Sequence, residues 1–124
     1  MRLCLPTAHD RGRTAMLSDH FGSAPYFTFV DSESGSTDVI PNHHAEHAPG
    51  HCDAARSVAA HGVDAVVCRG LGRRALASLE AAGIPVFVAE TDTVAGAVEA
   101  FAVGQLRRMN PQAACGGGHH HHCA

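Results

Sequence analysis

Two stretches of the chain concentrate side chains that bind transition metals. In "HHAEHAPGHC", His43, His44, His47 and His51 precede Cys52 within ten residues. In "CGGGHHHHCA", Cys115 and Cys123 enclose His119, His120, His121 and His122. Neutral imidazole and thiolate are the usual protein ligands of zinc, iron and iron–sulfur clusters. The chemistry to expect from them is the holding of a metal or cluster rather than the cleavage of a bond. Eight of the eleven histidines lie in these two groups, while His9, His20 and His61 stand apart.

Spacing refines the first group. His43, His47 and His51 would share one face of a helix, but Pro49-Gly50 interrupts any such helix. The stretch reads as a loop running into the next helix, with His51 and Cys52 at the helix N-terminus, where the thiolate that metals need is favoured. The plain alternative is a solvated polar loop. In the second group the cysteines and histidines have no zinc-finger spacing, and the three glycines allow no fixed geometry. Such a tract captures transition metal ions without a defined site, or else is an inert tail or a purification handle. A handle explains histidines but not the flanking cysteines.

Two further motifs could carry chemistry. "RGLGRRA" follows an apolar run and reads G-x-G-x-x-A, with Gly70-Leu71-Gly72 as a nucleotide-cradling turn and Glu90 about twenty residues on as a ribose-binding acid. Only one helix and a tail follow Glu90, so no second nucleotide-binding half exists, and a tight strand-to-helix turn explains the glycines equally well. "SDHFGSAPYF" places Asp19 beside His20 in a glycine-containing loop, as a carboxylate-oriented metal ligand or an acid/base pair. No serine or cysteine nucleophile can be assigned to it, so hydrolysis has little support.

Composition excludes several classes. None of the nine basic residues is lysine, which removes a Walker-type phosphate lysine and Schiff-base chemistry. A net charge of −3 and few aromatic residues argue against a nucleic-acid partner. The longest apolar runs, such as "IPVFVA", fall far short of the roughly 18 residues that span a bilayer. The N-terminus lacks the long apolar stretch of a signal peptide, so a cytoplasmic protein is expected, with no membrane partner. Five cysteines, an odd number in a reducing compartment, suit metal chemistry better than a disulfide framework.

These residues must be positioned by an α/β fold. "RLCL" (2–5) reads as a buried strand ended by Pro6, and "YFTFVD" (26–31) with "TDVIPN" (37–42) as a hairpin. A helix is predicted over 52–62, stopped by Gly62, and a strand over 63–68. A second helix over 71–83 turns Leu71, Ala75, Leu79 and Ala82 inward and stops at Gly83. A strand follows over 84–89, then a helix over 91–106 with Thr91 or Thr93 as N-cap and Val94, Val98 and Phe101 buried. The order predicts a mixed five-stranded sheet flanked by helices, with right-handed parallel crossovers in its second half. Residues 1–109 form the domain and 110–124 a flexible Cys/His-rich tail.

"LSDHFGSAPYFTFVD", then "VIPNHHAEH", "HGVDAVVCRGLGRRALASLEAAGIPVFVA" and a last helix ending "FAVGQL", resembles the dinitrogenase iron-molybdenum cofactor biosynthesis family over roughly residues 1–106. The resemblance implies a ribonuclease H-like fold. It also implies a role in carrying or inserting iron–sulfur or iron-molybdenum-type clusters during nitrogen fixation, with cluster donor and acceptor proteins as partners. By position, His20 and the histidines after Asn42 look like cluster-facing loops, and Gly70 and Gly72 like fold glycines. No carboxylate set for a two-metal nuclease is evident, and the radical-forming domain of larger relatives is missing, so a carrier and not an enzyme is expected. The expected ligand set is His20, His43, His44, His47, His51 and Cys52, from which three or four act at once. The tail is expected to bind a transition metal ion as a capture arm. A nucleotide-binding enzyme and a metal-independent interaction module are the alternatives.

Overall fold

A computed structural model of the protein describes residues 1–42 and 53–109. Its elements are β1 (Arg2–Thr7), β2 (Tyr26–Asp31), β3 (Thr37–Pro41), α1 (Asp53–Ala60), β4 (Ala65–Cys68), α2 (Arg73–Ala81), β5 (Val86–Val88), α3 (Val94–Ala102) and β6 (Arg107–Arg108), with a 3-10 turn at Gly12–Thr14. They build one mixed sheet of order β3-β2-β1-β4-β5-β6. The pairs β1–β4 and β4–β5 are parallel, and the other three are antiparallel.

Alternation along the strands divides the core in two. Cys4, Phe27, Phe29, Val66, Cys68 and Val86 face α1 and α2, meeting Ala55, Val58, Leu76 and Leu79. Leu3, Leu5, Val30, Ala65 and Val67 face the other way, against Val94, Ala97 and Val98 of α3 and against Ala15 and Leu17. Fully burying one such leucine or valine side chain stabilises the fold by about 1.5–3 kcal/mol. Two helices on one face and one on the other make a three-layer sandwich.

The sheet has six strands where five were predicted. The helix predicted over 91–106 ends at Ala102, and Gly104 adopts φ 71°, which reverses the chain. Leu106 then packs on the core, Arg107 and Arg108 pair with β5, and the buried Met109 donates its N–H to the Val86 carbonyl at 2.8 Å. Of the inward face predicted for α2, Leu71 and Leu79 are buried and Ala75 packs against the same core, which Leu76 joins, whereas Ala82, at the helix end, is exposed. Pro6 does not end β1; it sits inside the strand opposite Phe27. Its carbonyl accepts from the Ser18 N–H at 2.9 Å, on the edge where β4 has already stopped pairing, so its missing N–H breaks no ladder. Gly62 (φ 71°) and Gly83 (φ 80°) stop α1 and α2 as predicted, and Thr93 caps α3 by accepting from the Gly96 N–H at 3.2 Å. Among the described residues no helix is long and apolar enough to cross a membrane.

Candidate functional site at the carboxyl edge of the sheet

Parallel pairing points β1, β4 and β5 the same way. β3 joins them, because it is antiparallel to β2, which is antiparallel to β1. Four strands therefore deliver their carboxyl ends to one edge, where ligand sites of open α/β sheets gather. The 8–25 loop follows β1 there, Arg69–Gly72 follows β4, and Ala89–Thr93 follows β5. The α1 helix also begins at this edge. Its far end leads to Asp64, whose N–H donates to the Arg2 carbonyl at the opposite edge (2.8 Å). Eight helical residues at about 1.5 Å each then return its start, Asp53, to the height of the strand ends. Asn42 and Asp53, the last and first described residues around the first His/Cys stretch, thus both lie at this edge.

Asn42 fastens that position. It is 8% exposed, and its Nδ2 donates to the carbonyls of Gly22 (3.0 Å) and Ala24 (2.9 Å). Its backbone N–H donates to the Pro25 carbonyl at 2.9 Å. One amide therefore joins the end of β3 to the loop that carries His20. That loop is pinned from below by Phe21, 1% exposed and packed on Phe27 with ring centroids 5.1 Å apart. The Phe21 N–H donates to the Gly70 carbonyl at 3.0 Å. His20 is half-buried; the Ser18 hydroxyl donates to its carbonyl at 3.0 Å. Asp19 is engaged by Arg69, Nε to Oδ1 at 3.3 Å, and Arg69 also reaches Asp92 through Nη1.

Of the predicted ligands, His20 alone is described. His43, His44, His47, His51 and Cys52 lie outside the described residues, as do Cys115, His119, His120, His121, His122 and Cys123. Among the described residues no group of three or more His, Cys, Asp or Glu side chains could hold a metal ion. His61 is elsewhere: its ring stacks on Phe29 (5.0 Å) and Nδ1 donates to the Ser57 carbonyl at 2.7 Å, as a stop for α1. Glu90, the acid of the nucleotide-binding pattern, lies 3.6 Å from Arg107. Leu71, between the two glycines of that pattern, is 2% exposed and packed in the core.

The two described cysteines are packing residues and not ligands. Cys4 and Cys68 are free and fully buried in the α1/α2 layer. Burial pushes the Cys68 thiol up to about 12; burial, and then Cys68 itself, push Cys4 well above the ordinary thiol value. Neither supplies a thiolate near neutral pH. They cannot pair in place either. Cys4 sits opposite Val66, two residues from Cys68, so a strand spacing and two rises put their Cα atoms about 8 Å apart, beyond disulfide reach.

Local sequence did not reveal Asn42, Arg69 or Asp92. Their partners lie roughly twenty residues or more away, and an asparagine after a strand or an arginine before a glycine turn has no distinctive spacing.

The comparisons agree with this architecture. A 28%-identical relative over 113 residues, covering 87% of this chain and 91% of its own, is an uncharacterized protein of Methanocaldococcus jannaschii. The NMR structure of a Thermotoga protein with a provisional NifB designation is 33% identical, with TM-score 0.75, covering 86% of this chain and 91% of that one. The apo form of the orange protein of Desulfovibrio gigas is 27% identical, with TM-score 0.79, covering 87% and 92%. The family model described as dinitrogenase iron-molybdenum cofactor matches residues 1–104. The chain belongs to the dinitrogenase iron-molybdenum cofactor family.

Proposed function

We propose that the protein is a small cytoplasmic carrier of iron–sulfur or iron-molybdenum-type clusters, which takes its cargo from one assembly protein and passes it to another without catalysing a reaction. Family membership supports the class of cargo. The observation that carries the reading is the Asn42 junction, which fastens the chain leading into the first His/Cys stretch to the loop bearing His20. His20, His43, His44, His47, His51 and Cys52 are the donors offered to the cluster, three or four at a time, and their imidazole and thiol chemistry suits iron and zinc. The tail histidines and cysteines, His119 to His122 with Cys115 and Cys123, act as a capture arm for a transition metal ion. The ribonuclease H-like grouping belongs to the same reading, and neither nucleic acid nor membrane is expected as a partner.

A nucleotide-binding enzyme is disfavoured by the buried Leu71, by the Gly70 carbonyl held by Phe21, and by the pairing of Glu90 with Arg107. Reconstituting the full chain anaerobically with ferrous iron and sulfide tests the proposal. Uptake with visible charge-transfer absorption is expected, weakening as pH falls below about 6.5, because protons compete for imidazole and thiolate. Deleting residues 115–124 is expected to lower the metal content, and an unchanged content would remove the capture arm. A protein that takes up no iron, and is instead stabilised by NAD or ATP, would overturn the carrier reading.

A further inference from the structure

The Arg69 guanidinium touches two other loops at the carboxyl edge. It leaves the end of β4 and meets Asp19 in the loop after β1 (Nε to Oδ1, 3.3 Å) and Asp92 in the loop after β5 (Nη1 to Oδ1). Two backbone bonds run beside these ion pairs. The Phe21 N–H donates to the Gly70 carbonyl at 3.0 Å, and the Leu17 N–H donates to the Asp92 carbonyl at 2.7 Å. The five residues Leu17 to Phe21 are therefore held at both ends by main chain and in the middle by Arg69. His20 lies inside this span, next to the residue that Arg69 grips.

Resting on the carrier reading, we infer that Arg69 is the positioning residue of the His20 loop, setting where that histidine meets incoming cargo. Arginine is suited to the place because its rigid fork presents Nε–H and Nη–H in fixed directions, so one side chain can hold two carboxylates at once. Lysine, a single ammonium on a flexible stem, can satisfy one or the other but does not fix the angle between them. Both carboxylates are well exposed, at 76% and 68% for their side chains, so the pairs add little to global stability. Their effect is local, on a loop with few bonds to lose.

The test compares wild type with Arg69→Ala, Arg69→Lys and Asp19→Asn. Amide hydrogen exchange of the metal-free full chain is read first. Arg69→Ala is expected to speed exchange at Phe21 and Leu17 by about threefold to tenfold. The Ser18 and Ala8 amides, bonded to the Pro6 and Met16 carbonyls, should hold their wild-type rates. Asp19→Asn should reproduce the Phe21 effect alone, and lysine should restore at most one of the two. Unchanged exchange at Phe21, or a uniform rise at every amide, would overturn the inference. Cobalt(II) titration followed by ligand-field absorption is read second, with a severalfold loss of affinity expected in Arg69→Ala and the same spectrum at saturation. Unchanged affinity in a variant with loosened exchange would also overturn it. If wild type binds no cobalt, the carrier reading and the cargo role of Arg69 fail together, and the exchange rates still decide whether it holds the loop.

Discussion

Replacing Asn42 by alanine perturbs the carboxyl edge at its junction. The side chain is 8% exposed and gives one hydrogen bond to the Gly22 carbonyl and one to the Ala24 carbonyl, at 3.0 and 2.9 Å. Each is worth about 0.5–1.5 kcal/mol net, and a buried acceptor left without a donor costs about 1–3 kcal/mol. The Gly22 bond is partly open to water, which can replace the lost donor, whereas the Ala24 bond is buried. A loss of about 2 kcal/mol follows, which for a chain of this size lowers Tm by roughly 6–10 °C. Aspartate keeps the shape but, ionised, can only accept, and it would face two carbonyl oxygens. Asn42→Asp should therefore be less stable than Asn42→Ala at pH 7. The folded state raises the proton affinity of that carboxyl, so its penalty shrinks as pH falls and grows as pH rises. Thermal unfolding by circular dichroism between pH 4 and 7 checks both points. An Asn42→Ala melt within about 1 °C of wild type, or an aspartate variant as stable as wild type at pH 7, would refute the junction.

Other outcomes follow from the same geometry. In the native protein iodoacetamide should leave Cys4 and Cys68 unlabelled at pH 8 and should label both after unfolding, as peptide mass mapping will show; native labelling at either would contradict their burial. Because folding raises both thiols above the ordinary thiol value of about 8.5, the stability they confer is complete below that pH. It falls as pH rises toward about 12 for Cys68, by about 1.4 kcal/mol per pH unit for each thiol. Urea unfolding across that range should show a flatter slope in Cys68→Ala. Gly83→Ala should cost about 1–2 kcal/mol through backbone strain alone, since φ is 80° and an added Cβ meets nothing within 4 Å; an unchanged denaturation midpoint would refute it. Thr93→Ala should cost about 1 kcal/mol by losing the α3 cap, while Thr93→Ser should cost much less.

The elements that local chemistry could place were placed well. Gly62 and Gly83 announced helix ends because only glycine adopts their positive φ without strain, and Thr93 announced a helix start because its hydroxyl can reach the third amide. The hairpin of β2 and β3 and the alternation of β4, α2, β5 and α3 were legible from period and apolar runs. What escaped was set by distant partners. Two exposed arginines have no strand signature, and β6 exists because Gly104 turns the chain and Met109 finds a buried place. Pro6 reads as a stop, but a short β4 leaves its missing donor harmless. In the site, metal-binding residue types stood out by composition, whereas the groups that place His20, namely Asn42, Arg69, Asp92 and Gly70, became visible only when four strand ends met. Cys4 and Cys68 were legible too: both fall in apolar runs read as strands, and those strands turn them into the core.

The central claim is that this chain holds a metal cluster as cargo. Metal and acid-labile sulfide analysis of the full, untagged chain, purified without oxygen and read together with its visible spectrum, tests it most directly. The carrier reading predicts bound or readily reconstituted iron with charge-transfer bands, lost when His20 and Cys52 are both replaced by alanine. A colourless protein that takes up no metal from iron and sulfide, while unfolding with the stability of a well-packed fold, would contradict it.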